Sequence, residues 1–332
     1  MSDEMSNGAM GTQPVSETSV DDQLIQHPTV EDKNADDSSV LRKPHRITSP
    51  RVISISSGKG GVGKTFMSVH LAAHAAKSGQ RVLLIDADLG LANVDVMLGI
   101  HSSGTMRNLL TGTEPLEDLI VHCPQGFDVL PGGSGLYELT SLNVSEQQTI
   151  LDSLREAGEH YDLILIDTAA GIGDNVLYFA SAAETALVVL TPDPTSLTDA
   201  YALIKVLSQQ RAVRRFMVLI NQTDEIDGHI TFKRLLSVTD RYLDVYLDYI
   251  GHVPQHPSVR KAIQQQRLLN DNDPALRPYL DRLFDHILSR PRDASRSGGL
   301  QFFWEHTLSA GLDDESDEAG VNSALQTQRV SR

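Results

Sequence analysis

The chain has 332 residues, 40% of them hydrophobic, 22% charged and 5% aromatic, which is enough apolar chain for one large α/β domain or two small ones and too much for disorder throughout. Its 44 acids against 28 bases leave a formal charge of −16, which argues against a general binder of nucleic-acid backbones, whose affinity rests on a basic footprint. Cys123 is the single cysteine, excluding an internal disulfide or a multi-cysteine metal site within one subunit, and no run reaches the roughly 18 apolar residues that span a bilayer.

Residues 1–50 carry nine acids against four bases and few apolar positions. They are expected to form a flexible acidic arm, with at best one short helix around residues 36–42. The first 30 residues are polar and acidic and do not read as a secretory signal, so a cytoplasmic protein is expected. From Arg51 onward, short Val/Ile-rich runs recur at 52–56, 81–85, 161–166, 186–190 and 216–220. Between them lie segments with helical spacing at 65–77, 145–159, 196–210 and 229–242. Strand-sized apolar runs alternating with helices predict a doubly wound, mostly parallel α/β sheet buried on both faces, spanning residues 51–290. Residues 291–299 read as a Pro/Arg/Ser/Gly linker, followed by a short aromatic segment at 300–308 with the only Trp, and then an acidic tail to 332.

The most informative stretch is Gly58-Lys59-Gly60-Gly61-Val62-Gly63-Lys64-Thr65, which follows one predicted strand and precedes a helix. It matches G-x-x-x-x-G-K-[ST], the phosphate-binding P-loop. Glycines let main-chain N–H groups turn inward around a β-phosphate, and the following helix directs its positive end there. Lys64 is expected to reach the β/γ-phosphates and the Thr65 hydroxyl to ligate Mg²⁺. The nucleotide contacts expected on this basis are Gly58 to Thr65 together with Phe66. Three aspartates follow strand ends, where ligands gather in open α/β sheets: Asp86 and Asp88 after the second run, and Asp167 after the third. Asp167 is the natural Walker B carboxylate, acting on Mg²⁺ directly or through a water. Gly171 and Gly173 are expected to give the following loop its mobility, with Asp174 capping the next helix.

The second lysine of the loop, Lys59, makes G-K-G-G-V-G-K-T, which resembles the deviant Walker A motif of the MinD/ParA superfamily. That resemblance implies a P-loop NTPase of the MinD/ParA type in which Lys59 crosses a dimer interface to the partner's nucleotide, supplying in trans the charge an arginine finger supplies elsewhere. The alternative is a solvated surface lysine. The resemblance also implies that Asp88 orients the attacking water, with Lys59, Lys64 and Asp88 the catalytic set, and that Asp86 supports the metal shell alongside Thr65 and Asp167. Asp199 matches a carboxylate near the dimer interface, and an ordinary helix-start acid is the competing reading. For the base, the resemblance places Asn221, at the end of the fifth run, and Pro254, in a loop expected at 252–259, against adenine. Asn221-Gln222-Thr223-Asp224 also resembles the guanine-reading N-K-x-D, with Gln222 replacing the lysine; ATP is favoured over GTP on that departure.

Residues 86–99, 167–177 and 191–205 look closely like the FlhG/FleN family, MinD-like ATPases that control flagellar number and placement, and the resemblance spans roughly 51–290. It implies a homodimer formed with ATP and Mg²⁺, attachment to the inner face of the cell membrane, and partners among FlhF-like GTPases, flagellar switch proteins and a flagellar transcriptional activator. The D-Q-A-x-x-L-R element that many members use to stimulate the GTPase has its nearest match at 36–42, where Asp37 replaces glutamine and cannot donate as an amide does. Leu300, Phe303, Trp304 and Leu308 fall on one helical face; membrane attachment and packing on protein are both open for it, since Glu305 and the acidic tail oppose anionic lipid.

Other users of the loop fit less well. Cluster-bridging and arsenite or tail-anchored-protein ATPases need paired cysteines, and bacterial tyrosine kinases carry a tyrosine-rich tail. A DNA-partitioning ParA needs a basic surface, whereas residues 51–299 hold 29 acids against 22 bases, and Arg211, Arg214 and Arg215 read as a helix-end cluster. Two alternatives stand beside the flagellar reading: a MinD-type spatial regulator of division or another polar organelle, and a nucleotide-gated binding protein with negligible turnover.

Overall fold

The computed structural model describes residues 50–291, apart from 103, 134–142, 144, 147–148, 151, 154–157 and 272. The expected acidic arm, with its helix at 36–42, and the aromatic segment and acidic tail lie outside the described residues. The expected helix at 145–159 is described only in part, with residues 145–146, 149–150, 152–153 and 158 helical.

Eight strands form one sheet: β1 (Arg51–Ser57), β2 (Val82–Ala87), β3 (Val121–His122), β4 (Asp128–Leu130), β5 (Leu163–Ala170), β6 (Thr185–Leu190), β7 (Arg215–Asn221) and β8 (Tyr246–Val253). Their order is β3-β4-β2-β5-β1-β6-β7-β8. Only the β3–β4 pair at one edge is antiparallel. The five apolar runs became β1, β2, β5, β6 and β7, and the helical spacings at 65–77, 196–210 and 229–242 became α1 (Lys64–Lys77), α6 (Pro194–Gln210) and α7 (Glu225–Tyr242). Between them lie the short helices α2 (Val94–Leu98), α3 (Met106–Leu110) and α4 (Leu116–Leu119), followed by α5 (Asp174–Ala182). Two further helices, α8 (Pro257–Gln264) and α9 (Arg277–Ser289), close the described chain.

The period-2 alternation of each strand decides which helix covers it. Ile53, Ile55, Leu84 and Leu165 face α1 and α9, packing with Phe66, Met67, Leu71, Leu280 and Phe284. Val52, Leu83, Ile85 and Ile166 face the other way, against Tyr178 and Phe179 of α5, and Val188 and Ile220 meet Leu203 and Leu207 of α6. Leu83, Leu84 and Ile85 are fully buried, each worth about 1.5–3 kcal/mol. A sheet buried on both faces is what continuous rather than alternating apolar runs require.

Three strands carry no such run. β4 has three residues and β3 two, too short for a pattern. β8 is an edge strand that includes Asp248 and His252, and its register to β7 shifts between Val218 and Leu219. Among the described residues, no helix is long and apolar enough to cross a membrane.

Candidate nucleotide site

The central strand β1 is flanked by β5 on one side and β6 on the other, so connections leave it in both directions. Loops beyond the carboxyl ends of such strands diverge and leave a crevice. Residues 58–63 leave β1 into that crevice, and Gly63, with φ +98°, turns the chain so that Lys64 opens α1. The first turn of α1 thereby aims its free N–H groups at the loop's interior, an anion site by construction. A cavity of about 770 Å³ lies there, lined by Gly60, Gly61, Lys64, Thr65, Asp88 and Asn175 among others. Gly58 serves a different end. A Cβ on it would stand 2.2 Å from the Asp199 carbonyl group, so the loop's first residue seats directly on the backbone of α6.

β2 and β5 pair in register with Asp86 opposite Asp167, placing two buried carboxylates side by side. Burial, followed by the neighbouring Asp167 charge, pushes Asp86 up to about 7 against three backbone N–H bonds that pull it down. Burial likewise raises Asp167 to about 6, opposed by hydrogen bonds from Thr65 and Ser68 and by the Lys64 charge. The buried Lys64 ammonium is lowered by desolvation, which outweighs the attraction of Asp167, Asp88 and Asp86. Three carboxylates thus face one lysine in a low-dielectric cleft.

Asp86 is also a structural hub. Its Oδ1 accepts the Asp88 N–H at 3.1 Å, and its Oδ2 accepts those of Asn93 and Val94 at 2.9 and 3.0 Å. It therefore fixes the loop from β2 to α2 on which Asp88 rides, and Asp88 in turn accepts the Leu91 N–H. The Thr65 hydroxyl and Asp167 carboxylate are joined directly, an oxygen donor pair beside a phosphate cradle that suits a hard divalent cation. These residues fit Mg²⁺; Thr65 and Asp167 would hold it, and Asp86, whose oxygens already accept backbone bonds, would support them.

A second cavity, of about 440 Å³, lies between the loop and α8, bordered by Phe66, Asn221, Gln222, Pro254, Val259 and Arg260. Asn221 ends β7 as expected, and its amide is engaged with the loop: Nδ2 donates to the Val62 carbonyl at 2.7 Å, and Oδ1 accepts the Gln222 N–H. The segment expected to be a loop, 252–259, instead comprises the end of β8, a three-residue turn containing Pro254, and the first turn of α8. Asp224 caps α7 by accepting the Asp227 N–H.

Further sequence expectations change. Asp86 and Asp167, expected just beyond strand ends, lie within β2 and β5, whose pairing runs on past them. Asp174 is the first residue of α5 rather than its cap, which is Gly173 with no side-chain bond. Asp199 lies in the second turn of α6, so it is not the helix-start acid; the N-cap is Asp193, which accepts the Ser196 N–H at 2.9 Å. Asp193 also pairs with Lys59, Nζ to Oδ1 at 3.0 Å. The sequence reading missed Asp193 and Ser68, whose hydroxyl reaches Asp167 at 2.9 Å. Ser68 stands one turn after Lys64 on the same helix face, a spacing that was there to be read; the Lys59–Asp193 pair joins residues 134 apart and leaves no sequence trace.

The AAA-domain family matches residues 50–218. The chain is 41% identical to the antiactivator FleN of Pseudomonas aeruginosa over 78% of its own length and 93% of that protein. It is 32% identical to the flagellum site-determining protein YlxH of Helicobacter pylori, over 66% of this chain and 74% of the other. Among solved structures, the MinC:MinD cell division complex of Aquifex aeolicus superposes with a TM-score of 0.58 at 28% identity, covering 73% of this chain and 97% of that one. MinD of Pyrococcus horikoshii complexed with Mg-ADP gives 0.60 at 26%, covering 72% and 96%. A phosphate loop with two lysines, carboxylates on β2 and β5, and this agreement in both sequence and fold place the chain in the MinD/ParA family of P-loop ATPases, among its FlhG/FleN members.

Proposed function

We propose that this chain is an ATP-hydrolysing switch that pairs with a second copy when ATP is bound and so regulates flagellar number or placement. The observation that carries the reading is the position of Lys59. It belongs to the phosphate loop, yet it is not among the residues lining the phosphate cavity and stands 41% exposed at the loop's outer edge. A loop lysine whose ammonium is turned outward to Asp193 rather than into its own cavity is suited to serve another subunit's phosphates. Exposed Leu91, Val96 and Ile263 line the cavity, and exposed Ile172 adjoins the lining residue Gly173, an apolar rim that a second copy would cover.

Within each subunit, loop N–H groups and Lys64 hold the phosphates, and Asp88, fixed through Asp86, orients the attacking water. Mg²⁺, when bound, neutralises charge on the phosphate oxygens. Positioning and charge account for most of phosphoryl transfer, so no covalent group is required. ATP over GTP is supported by Gln222, which stands where the guanine-reading pattern needs a lysine. Turnover on this reading is slow until a partner completes the site. The name of the Pseudomonas relative, an antiactivator, points to opposing a flagellar activator as one output; an FlhF-like GTPase, switch proteins and the inner membrane surface are further partners under the same reading. The 41% identity to FleN, against 28% to the Aquifex MinD, favours flagellar over division-site work.

Sedimentation of the purified chain with Mg·ATP and with Mg·ADP tests the switch. A dimer with ATP alone, lost in Lys59→Ala and trapped in Asp88→Ala, is expected. A chain that stays monomeric in Asp88→Ala with saturating Mg·ATP refutes it. Flagellar counts in a deletion strain, against septum placement, separate the flagellar output from the MinD-type one.

A further inference from the structure

Lys59 is held in place by its own subunit. Its carbonyl accepts the Ser57 hydroxyl at 2.7 Å, fixing the backbone, and its ammonium donates to Asp193 Oδ1 at 3.0 Å and Thr195 Oγ1 at 2.5 Å. Those two acceptors sit at the start of α6 and are themselves cross-braced: Thr195 donates to Asp193 Oδ1 and Thr191 to Asp193 Oδ2. The donors around Asp193, Thr191 foremost, then Thr195, Ser196 and Lys59, hold its carboxyl well below the usual range, so it stays an anion at any working pH. Gly58 lies against the next turn of the same helix. The outer half of the phosphate loop and the amino end of α6 therefore form one unit, with the lysine's charge neutralised inside it.

We propose that Asp193 and Thr195 are positioning residues that park Lys59 in the separate subunit, and that their hold sets how readily ATP drives two copies together. This rests on the ATP-dependent dimer proposed above. A lysine that engages a partner's triphosphate must give up part of this hold, because two of its three N–H donors are already committed to Asp193 and Thr195 and only one is left for a phosphate across the interface. The parking contact opposes dimerisation and discriminates between nucleotides: only a ligand offering the lysine more negative charge than Asp193 draws it out. Parking also keeps the lone charge from approaching a subunit that holds no triphosphate.

The pair is about two-fifths exposed on both sides, so each is worth roughly a 1.4- to 5-fold factor. Two break per dimer, which predicts a dimer dissociation constant roughly 2- to 30-fold lower when the hold is removed. Asp193→Asn removes the charge while preserving the helix cap, since asparagine caps as well as aspartate; Thr195→Val removes the second acceptor and leaves the cap untouched. Both full-length variants and the parent are to be measured by sedimentation velocity across a concentration series, with a saturating non-hydrolysable ATP analogue and Mg²⁺. In parallel, labelling of the nucleotide-free monomers with an amine reagent, read by mass spectrometry at Lys59, reports release of the side chain independently of any dimer. Faster labelling and tighter dimers in both variants are the expected result. Faster labelling with an unchanged or weakened dimer overturns the proposal, as does unchanged labelling. A parent chain that never dimerises refutes the dimer reading itself, and the labelling result then states separately whether Asp193 holds the lysine.

Discussion

Gly58→Ala adds one methyl group, and the structure says where it goes. The new Cβ would lie 2.2 Å from the carbonyl carbon and oxygen of Asp199 and 2.8 Å from the Ala200 nitrogen. Ordinary contact needs about 3.4 Å, so the loop and α6 must separate by about 1.2 Å, and neither side of the contact has a rotamer with which to yield. Overpacking of this kind costs about 1–3 kcal/mol, and for a domain of this size each kcal/mol lowers the melting temperature by about 2–4 °C. If the loop is the part that moves, restoring its shape around phosphate draws on binding energy, at about tenfold in affinity per 1.4 kcal/mol. Gly60→Ala is the control: it stands two residues away in the same loop, its Cβ meets nothing within 4 Å, and its φ is not positive. Thermal melting without nucleotide and titration calorimetry with Mg·ADP are the assays. Gly58→Ala is expected to lose both stability and affinity, and Gly60→Ala to remain within about 0.5 kcal/mol of the parent in stability. If Gly58→Ala melts together with the parent and with Gly60→Ala, the seating of the loop on α6 is not real.

The raised Asp86 and Asp167 bind more protons folded than unfolded, so stability without nucleotide is expected to fall as pH rises from about 4 through about 7; Asp167→Asn should flatten that slope and melt higher than the parent at pH 8 while losing Mg²⁺-dependent nucleotide binding. His70 behaves oppositely. It is buried neutral with its value lowered to about 4, bridging the Phe66 carbonyl and the Leu269 N–H, so its contribution is complete above about 6.5 and lost as pH falls toward 4. His70→Leu should remove that acid limb and, by orphaning the Leu269 N–H, cost about 1–3 kcal/mol at pH 7 in urea denaturation. Asn221→Asp sets a carboxylate oxygen against the Val62 carbonyl where an amide now donates at 2.7 Å; a loss of about 1–3 kcal/mol together with weakened nucleotide binding is expected, and unchanged affinity would separate Asn221 from the loop.

Much of the site was legible because its chemistry is local. Eight consecutive residues between a strand and a helix build a phosphate cradle from backbone geometry, and Asp86, Asp88 and Asp167 are recognisable by closely following apolar runs. The strands that escaped notice are those with no continuous burial: β8 at the edge, and the short β3 and β4. A period-2 or unbroken apolar pattern exists only where a sheet is covered, so partly covered strands do not announce themselves.

Sequence alone determined the class of fold, the phosphate loop and the acids around it, since spacing along one chain segment suffices to orient a backbone turn and to end an apolar run in a carboxylate. Tertiary structure decided what those residues do to one another. Only the in-register pairing of β2 with β5 sets Asp86 beside Asp167 and raises both, only the approach of α6 makes Gly58 irreplaceable while Gly60 stands in open space, and only the meeting of two segments 134 residues apart gives Lys59 its partner. Each of these depends on a distance of a few ångströms between elements remote in the chain, and such distances are set by packing rather than by any local pattern.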